Sequence, residues 1–262
     1  MTSFLFRISI IGFLLITTQN AKSQKDIVIS DSLIANSEKL NVKMGSQGFG
    51  KIWKFHFGDY GVASSKLGWT VTSTKGNFFN TRTENRSTEK FSFLMTSKAN
   101  DSATVNTANN ILVQSLQEME IFPHISWGSN ELVQESRNFS AFITINGDTS
   151  EIWALLMNIV RGENVQTQDD AVLINGARKI LITPTTSNRN GGDSRSQPAL
   201  GYEYIENGQS LGAVQYYGGG AFGLNKNIVW LNKSLDGKMK IVLAAASTAI
   251  LQFKANINPG QL

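Results

Sequence analysis

The side chains able to do acid–base or ligand chemistry are few and scattered. Histidine occurs twice, at His56 and His124. His56 stands between Phe55 and Phe57, with Asp59 three residues on. An imidazole and a carboxylate in one short stretch are the raw material of general acid–base work, and Glu203 adds a distant carboxylate. A metal site needs a third ligand and nucleophilic catalysis needs a placed nucleophile, and neither accompanies His56. The expectation is a half-buried strand histidine bonded to a neighbour. His124 follows Pro123 and reads as a loop residue. Arg189 and Arg195 lie in a polar stretch, 187–199 (SNRNGGDSRSQPA), where two guanidinium groups could clamp an anion. Asp169-Asp170 could bind a cation, but no D-x-D-x-D-G pattern surrounds the pair, so a solvated turn is expected. His56, Asp59, Arg189, Arg195 and Glu203 are the ligand candidates. No catalytic residue, metal ligand or cofactor is assigned.

Gly218, Gly220 and Gly223 satisfy G-x-G-x-x-G literally. A dinucleotide site requires the last glycine to open a helix whose N-terminus holds the pyrophosphate. Here the apolar run 227–231 follows, with the look of a strand, so a connection between strands is expected. H-E-x-x-H is absent. The five tryptophans, Trp53, Trp69, Trp127, Trp153 and Trp230, could stack on sugars, but in strands they read as core.

The elements that must position these groups are mostly strands. Three Asn-Gly pairs sit between apolar runs, at Asn146-Gly147, Asn175-Gly176 and Asn207-Gly208. Both residues tolerate the positive φ of a type I′ turn, so each pair predicts an antiparallel hairpin. Asn100-Asp101 predicts another turn, between 90–97 and 102–108. Two segments, 149–160 and 111–121, carry patterns that fit either strand or helix. For 149–160, strand is the preferred reading.

The stretch 227–253 is the organising one. A strand leads to Ser234, a helix cap, and then to a run from Ile241 to Leu251 that is apolar almost all round. A helix over about 235–253 with that pattern must be buried on most sides. The run is shorter than the ~20 residues a bilayer needs, so no stable transmembrane span is expected. The fold class expected is mainly β (α+β): an antiparallel, hairpin-built sheet or closed barrel packed around this hydrophobic helix.

The first 23 residues carry Arg7, an apolar run from Ile8 to Ile16, and small residues Ala21 and Ser23. They read as a secretory signal peptide, leaving one β-rich domain over 24–262. With no cysteine there is no lipoprotein anchor, disulfide or thiolate site. Export to the periplasm or outside the cell follows as an expectation. Loss of the signal removes Arg7 and Lys22 from 24 basic residues and none of 20 acidic ones, leaving a net charge of +2. No basic cluster remains that would recruit nucleic acid.

The segments SLGAVQYY (210–217), NIVWLNKSLD (227–236) and MKIVLAAASTAIL (239–251) give an order of elements that resembles the tubby-like architecture shared with phospholipid scramblase-like proteins. The resemblance implies a closed β-barrel around a central hydrophobic helix. It carries over no functional residue, and an export signal departs from the mostly intracellular members of that group. The function expected is a non-catalytic binding or structural module of the cell envelope, for an unknown small molecule, lipid or glycan. The alternatives are a hydrolase or lyase with dispersed acid–base residues, and a membrane-surface lipid-contacting module.

Overall fold

The computed structural model describes residues 26–45, 54–76, 82–116, 119–122, 125–127, 131–163, 168–176, 178–188, 198–218 and 226–257. The stretch 1–23 expected to be a signal peptide, Trp53, His124, Arg189, Arg195 and all of the glycine motif except Gly218 lie outside the described residues.

A short helix, α1 (Asp31–Asn36), precedes β1 (Ser37–Asn41), β2 (Lys43–Met44), β3 (Phe55–Phe57) and β4 (Tyr60–Leu67). Next come β5 (Val71–Gly76), β6 (Arg82–Ser97), β7 (Ser102–Leu116), β8 (Met119–Phe122) and β9 (Ile125–Trp127). Four long strands follow: β10 (Glu131–Ile145), β11 (Asp148–Arg161), β12 (Gln168–Asn175) and β13 (Arg178–Thr186). The chain ends with β14 (Leu200–Glu206), β15 (Gln209–Tyr217), β16 (Ile228–Asn232) and a long helix, α2 (Gly237–Ile257).

The main sheet is 14-stranded and antiparallel, in the order β1-β16-β15-β14-β13-β12-β11-β10-β7-β6-β4-β3-β2, with β5 added to β6. Its first and last strands are consecutive along one run, 37–44. Residues of β1 pair with β16, and residues of β2 pair with β3. Between them the Val42 amide donates to the Asn227 carbonyl at 3.0 Å. The two ends of the sheet therefore meet on one piece of chain, and the sheet curls into a nearly closed barrel.

Hairpin chemistry accounts for most of that order. Asn146 and Gly147 take φ of 51° and 74°, and Asn207 and Gly208 take 50° and 78°. These are the left-handed values that Asn and Gly tolerate. The third pair is shifted by one: Asn175 is still in strand, paired with Arg178, and Gly176 carries φ 51°. Both ambiguous segments resolve as strand. Along β11, Trp153, Leu155, Met157 and Ile159 are buried while Ile152 and Leu156 are exposed, the period of two that a one-sided strand requires. Residues 111–116 complete β7, and 119–122 form β8.

The barrel is filled by α2, which packs against β7, β10, β15 and β16. Ile241, Val242, Leu243, Ala244, Ala245, Ala246, Ala249 and Ile250 have no exposed surface. Phe253 stacks on Phe139 of β10, with ring centroids 4.4 Å apart. The helix starts two residues later than expected, and its cap is Asp236, whose carboxylate accepts from the Met239 amide at 2.7 Å. Ser234 is turned instead onto the Asn232 side chain at 2.8 Å. A charged cap suits the positive end of the helix dipole better than a hydroxyl does. The Ser247 hydroxyl reaches out from the helix and shares a 2.9 Å hydrogen bond with Tyr204 on β14.

A second, smaller core lies outside the barrel wall. Ile27, Ile29 and Leu33 pack over Ala213, Ile228 and Trp230. Residues 27–29 are not part of a strand and are held by the Ile27 amide on Gln215 Oε1 at 3.0 Å and the Val28 amide on the Thr186 carbonyl.

Candidate functional site

Strands β12 and β13 stop pairing before they end. Their ladder runs from Asn175↔Arg178 to Ala171↔Ile182. Beyond it β12 continues back to Gln168, and β13 continues to Thr186 in register with β14 alone. Pro184 lies in this stretch and has no N–H to extend a ladder. A cleft of about 790 Å³ opens there, lined by residues from both faces of the sheet, among them Asp169, Asp170, Thr183 and Pro184.

The outer wall of the cleft carries two rows of side chains across neighbouring strands. One is polar: Asn110 pairs with Asn138, Asn138 with Asn158, and Asn158 with Asp170. The row extends to Thr88, whose hydroxyl donates to Asn110 Oδ1 at 3.0 Å. The other is aliphatic: Leu156 pairs with Val172, and Val172 with Leu181. Leu156 and Leu181 are 38% and 49% exposed, high for large apolar side chains. Strand spacing sets neighbours within each row about 4.8 Å apart.

Asp169 connects the cleft to the interior. Tyr202 donates its phenol proton to this carboxylate, 2.8 and 2.7 Å from the two oxygens. Behind them the Lys254 ammonium, on the last turns of α2, lies 3.4 Å from Asp169 Oδ2. It also faces the rings of Tyr202, Tyr216 and Phe253 at 5.0, 4.9 and 5.9 Å. Lys254 is 5% exposed. Burial brings its pKa down to about 8; Asp169 pulls the other way, and Arg161 adds to the lowering. Burial pushes the Tyr202 and Tyr216 phenols up, and the Asp169 charge adds to both shifts. The group is a buried cation in an aromatic cage, tied to a carboxylate that reaches the cleft.

No family model, curated protein or solved structure matches this chain.

Of the candidates named from the sequence, His56, Asp59 and Glu203 are among the described residues, and these three stand apart from the cleft and from one another. His56 is on β3, exposed rather than half-buried, opposite Lys43 and Gly61. Asp59 is in the β3–β4 turn, in an exposed ion pair with Lys98 at 2.6 Å. Glu203 is on β14, 2% exposed, where its carboxylate accepts from the Ser30 amide beneath the N-terminal segment. Strands β15 and β16 and the run 37–44 separate Glu203 from His56. The end residues of the stretch 187–199 are paired: the Ser187 amide donates to the Ala199 carbonyl at 3.0 Å, and the Ala199 amide donates to Ser187 Oγ at 3.0 Å.

Other expectations need correction. Asp169-Asp170 is not a solvated turn but part of β12, with Asp169 turned inward and Asp170 outward. Trp153 and Trp230 are core, but Trp69 is 91% exposed, because it sits in the β4–β5 connection and not within a strand. Two short motifs also escape a sequence reading that assigns no nucleophile. Gly208–Gly212 is a literal G-x-S-x-G, yet Ser210 lies in a β-hairpin and not at a strand-to-helix elbow, with its hydroxyl buried and unpartnered. Ser87 and Lys90 form S-x-x-K but lie three apart on β6, on opposite faces.

Lys254 and Tyr202 were not among the candidates. Their one sequence signal is a lysine placed directly after Phe253, at the end of an otherwise apolar helix.

Proposed function

We propose that the protein is an exported, non-catalytic binding module of the cell envelope, and that the cleft beside β12 and β13 takes an amphiphile. The polar row of Asn110, Asn138, Asn158 and Asp170 would hydrogen-bond a hydroxyl- or amide-rich head. The aliphatic row of Leu156, Val172 and Leu181 would cover its hydrocarbon part. The single observation that carries this reading is the two rows lying side by side on the wall of one 790 Å³ cleft. Ligand sites are commonly concave and mostly apolar, with a few fixed polar groups. A lipid or glycolipid fits this chemistry better than a bare glycan, which would leave the aliphatic row exposed to water. The export signal and the resemblance to the tubby-like architecture belong to the same proposal. The first would send the protein to the envelope, and the second implies a barrel wrapped on a helix without implying a ligand. Among the described residues, no helix is long and apolar enough to cross a membrane.

The test is titration calorimetry with dodecyl maltoside below its micelle concentration, against maltose alone. Binding of the amphiphile, weakened by Leu181→Asp and by Asn158→Ala and exceeding that of maltose, supports the reading. Equal binding by the three proteins, or turnover of ester, phosphate or glycoside substrates, overturns it.

A further inference from the structure

We propose that Lys254 is a covalent carbonyl-binding site, at which aldehydes entering through the opening between β12 and β13 are held as an imine. The inference rests on the cleft being open to small molecules and does not need the amphiphile preference.

Three observations converge on it. The β12–β13 ladder ends at Ala171↔Ile182, so the wall is interrupted beside Asp169. Asp169 lines the cleft and keeps its side chain 24% exposed, whereas that of Lys254 is 4% exposed. The amine thus lies one carboxylate away from a space large enough for a small molecule. The amine is also in a setting that favours its neutral form. It faces Asp169 from β12, Arg161 from β11, the phenols of Tyr202 and Tyr216 from β14 and β15, and Phe253 on its own helix. With the group brought down to about 8, roughly one amine in ten is neutral at pH 7, against fewer than about one in a thousand for an ordinary lysine. A lysine desolvated among apolar groups is the usual form of an imine-forming nucleophile.

The step balances without an oxidant or reductant. The Nζ lone pair adds to the carbonyl carbon, giving a carbinolamine. The two amine protons leave with the carbonyl oxygen as water, one of them relayed through Asp169, and the C=N bond forms. One aldehyde and one amine give one imine and one water. Asp169, held by the Tyr202 phenol, acts as a positioning and proton-relay residue. The aromatic rings that now face the ammonium would face the imine instead.

The test is reductive trapping of the full mature chain with butanal and sodium cyanoborohydride, followed by peptide mass spectrometry at each lysine. The result expected at pH 7 is butylation of Lys254 roughly tenfold faster than of the exposed Lys66 and Lys90, with a rate that levels off near pH 8. Leu181→Trp, which narrows the cleft mouth on the protein's surface, slows Lys254 severalfold and leaves Lys66 unchanged. Asp169→Asn moves the pH profile of the Lys254 rate downward, which a merely structural role would not do. Labelling of Lys254 no faster than Lys66, or a Lys254 rate indifferent to Leu181→Trp, overturns the proposal. Trapping at Lys254 without dodecyl maltoside binding overturns the amphiphile reading alone.

Discussion

The Lys254 ammonium sits 3.4 Å from the Asp169 carboxylate and joins the last turns of the core helix to the open end of β12. It connects the buried helix to the cleft beside β12 and β13. A buried ion pair adds little net stability, but removing one partner leaves the other desolvated and unpaired. Asp169→Asn should therefore destabilise the protein by about 1–3 kcal/mol at pH 7, part of the cost being escaped by loss of the lysine proton. The double variant Asp169→Asn with Lys254→Met should recover most of it. Urea denaturation of the two single variants and the double variant closes the cycle, and additive losses would show that the pair is not coupled.

The same lysine predicts the alkaline stability profile. Its pKa falls from 10.5 unfolded to about 8 folded. Between those values the unfolded chain holds more protons, so stability rises with pH, by about 2 kcal/mol from pH 8 to 10. Below about 8 both states carry the proton and the lysine contributes no slope. Tyr202, Tyr204 and Tyr216 act in the opposite sense, since burial raises all three above 10 in the fold. Their contribution is full below pH 10 and is lost above it, as the unfolded tyrosines ionise. The melting temperature should climb from pH 8, peak near 10 and then drop; Lys254→Met should flatten the climb and keep the drop.

The helix core gives a harsher test. Leu243 and Ile250 have no exposed surface. Leu243→Asp or Ile250→Asp buries a charge without a partner and should cost about 3–5 kcal/mol or more, enough to leave the chain unfolded or insoluble. Leu243→Met, which nearly conserves volume, should cost less than about 1.5 kcal/mol. Circular dichroism melts compare them; aspartate variants that melt like the parent would remove the helix from its central place.

Tyr204 and Ser247 pin β14 to that helix through a buried 2.9 Å hydrogen bond. Tyr204→Phe strands the serine hydroxyl and should cost about 1–3 kcal/mol. Adding Ser247→Ala should return part of the loss, because both polar groups are then gone. Denaturant midpoints at constant m-value measure the difference.

The hairpins and the buried helix were legible because local chemistry decides them: Asn-Gly turns need positive φ, and an all-apolar helix has nowhere to go but inside. Segment 149–160 resolved as strand because only one face of the sheet is buried there, with Trp153 in and Ile152 out. The site was not legible. Asp169 and Lys254 are 85 positions apart and meet only because the helix fills the barrel. The cleft depends on where the β12–β13 ladder stops, which Pro184 influences but pattern alone does not reveal. Ser234 was the expected cap, and the turn before the helix instead brings the Asp236 carboxylate onto the Met239 amide.

The seam on the run 37–44 has a consequence for how the chain folds. The first strand pairs with the last, and the Ile27 amide finds its partner 188 positions away on Gln215. The helix that fills the barrel is also made last. A chain emerging from its N-terminus can form single hairpins but cannot shut the wall or fill it until the final residues arrive. Such long-range closure makes folding slow, since the loop entropy is lost before the contacts repay it.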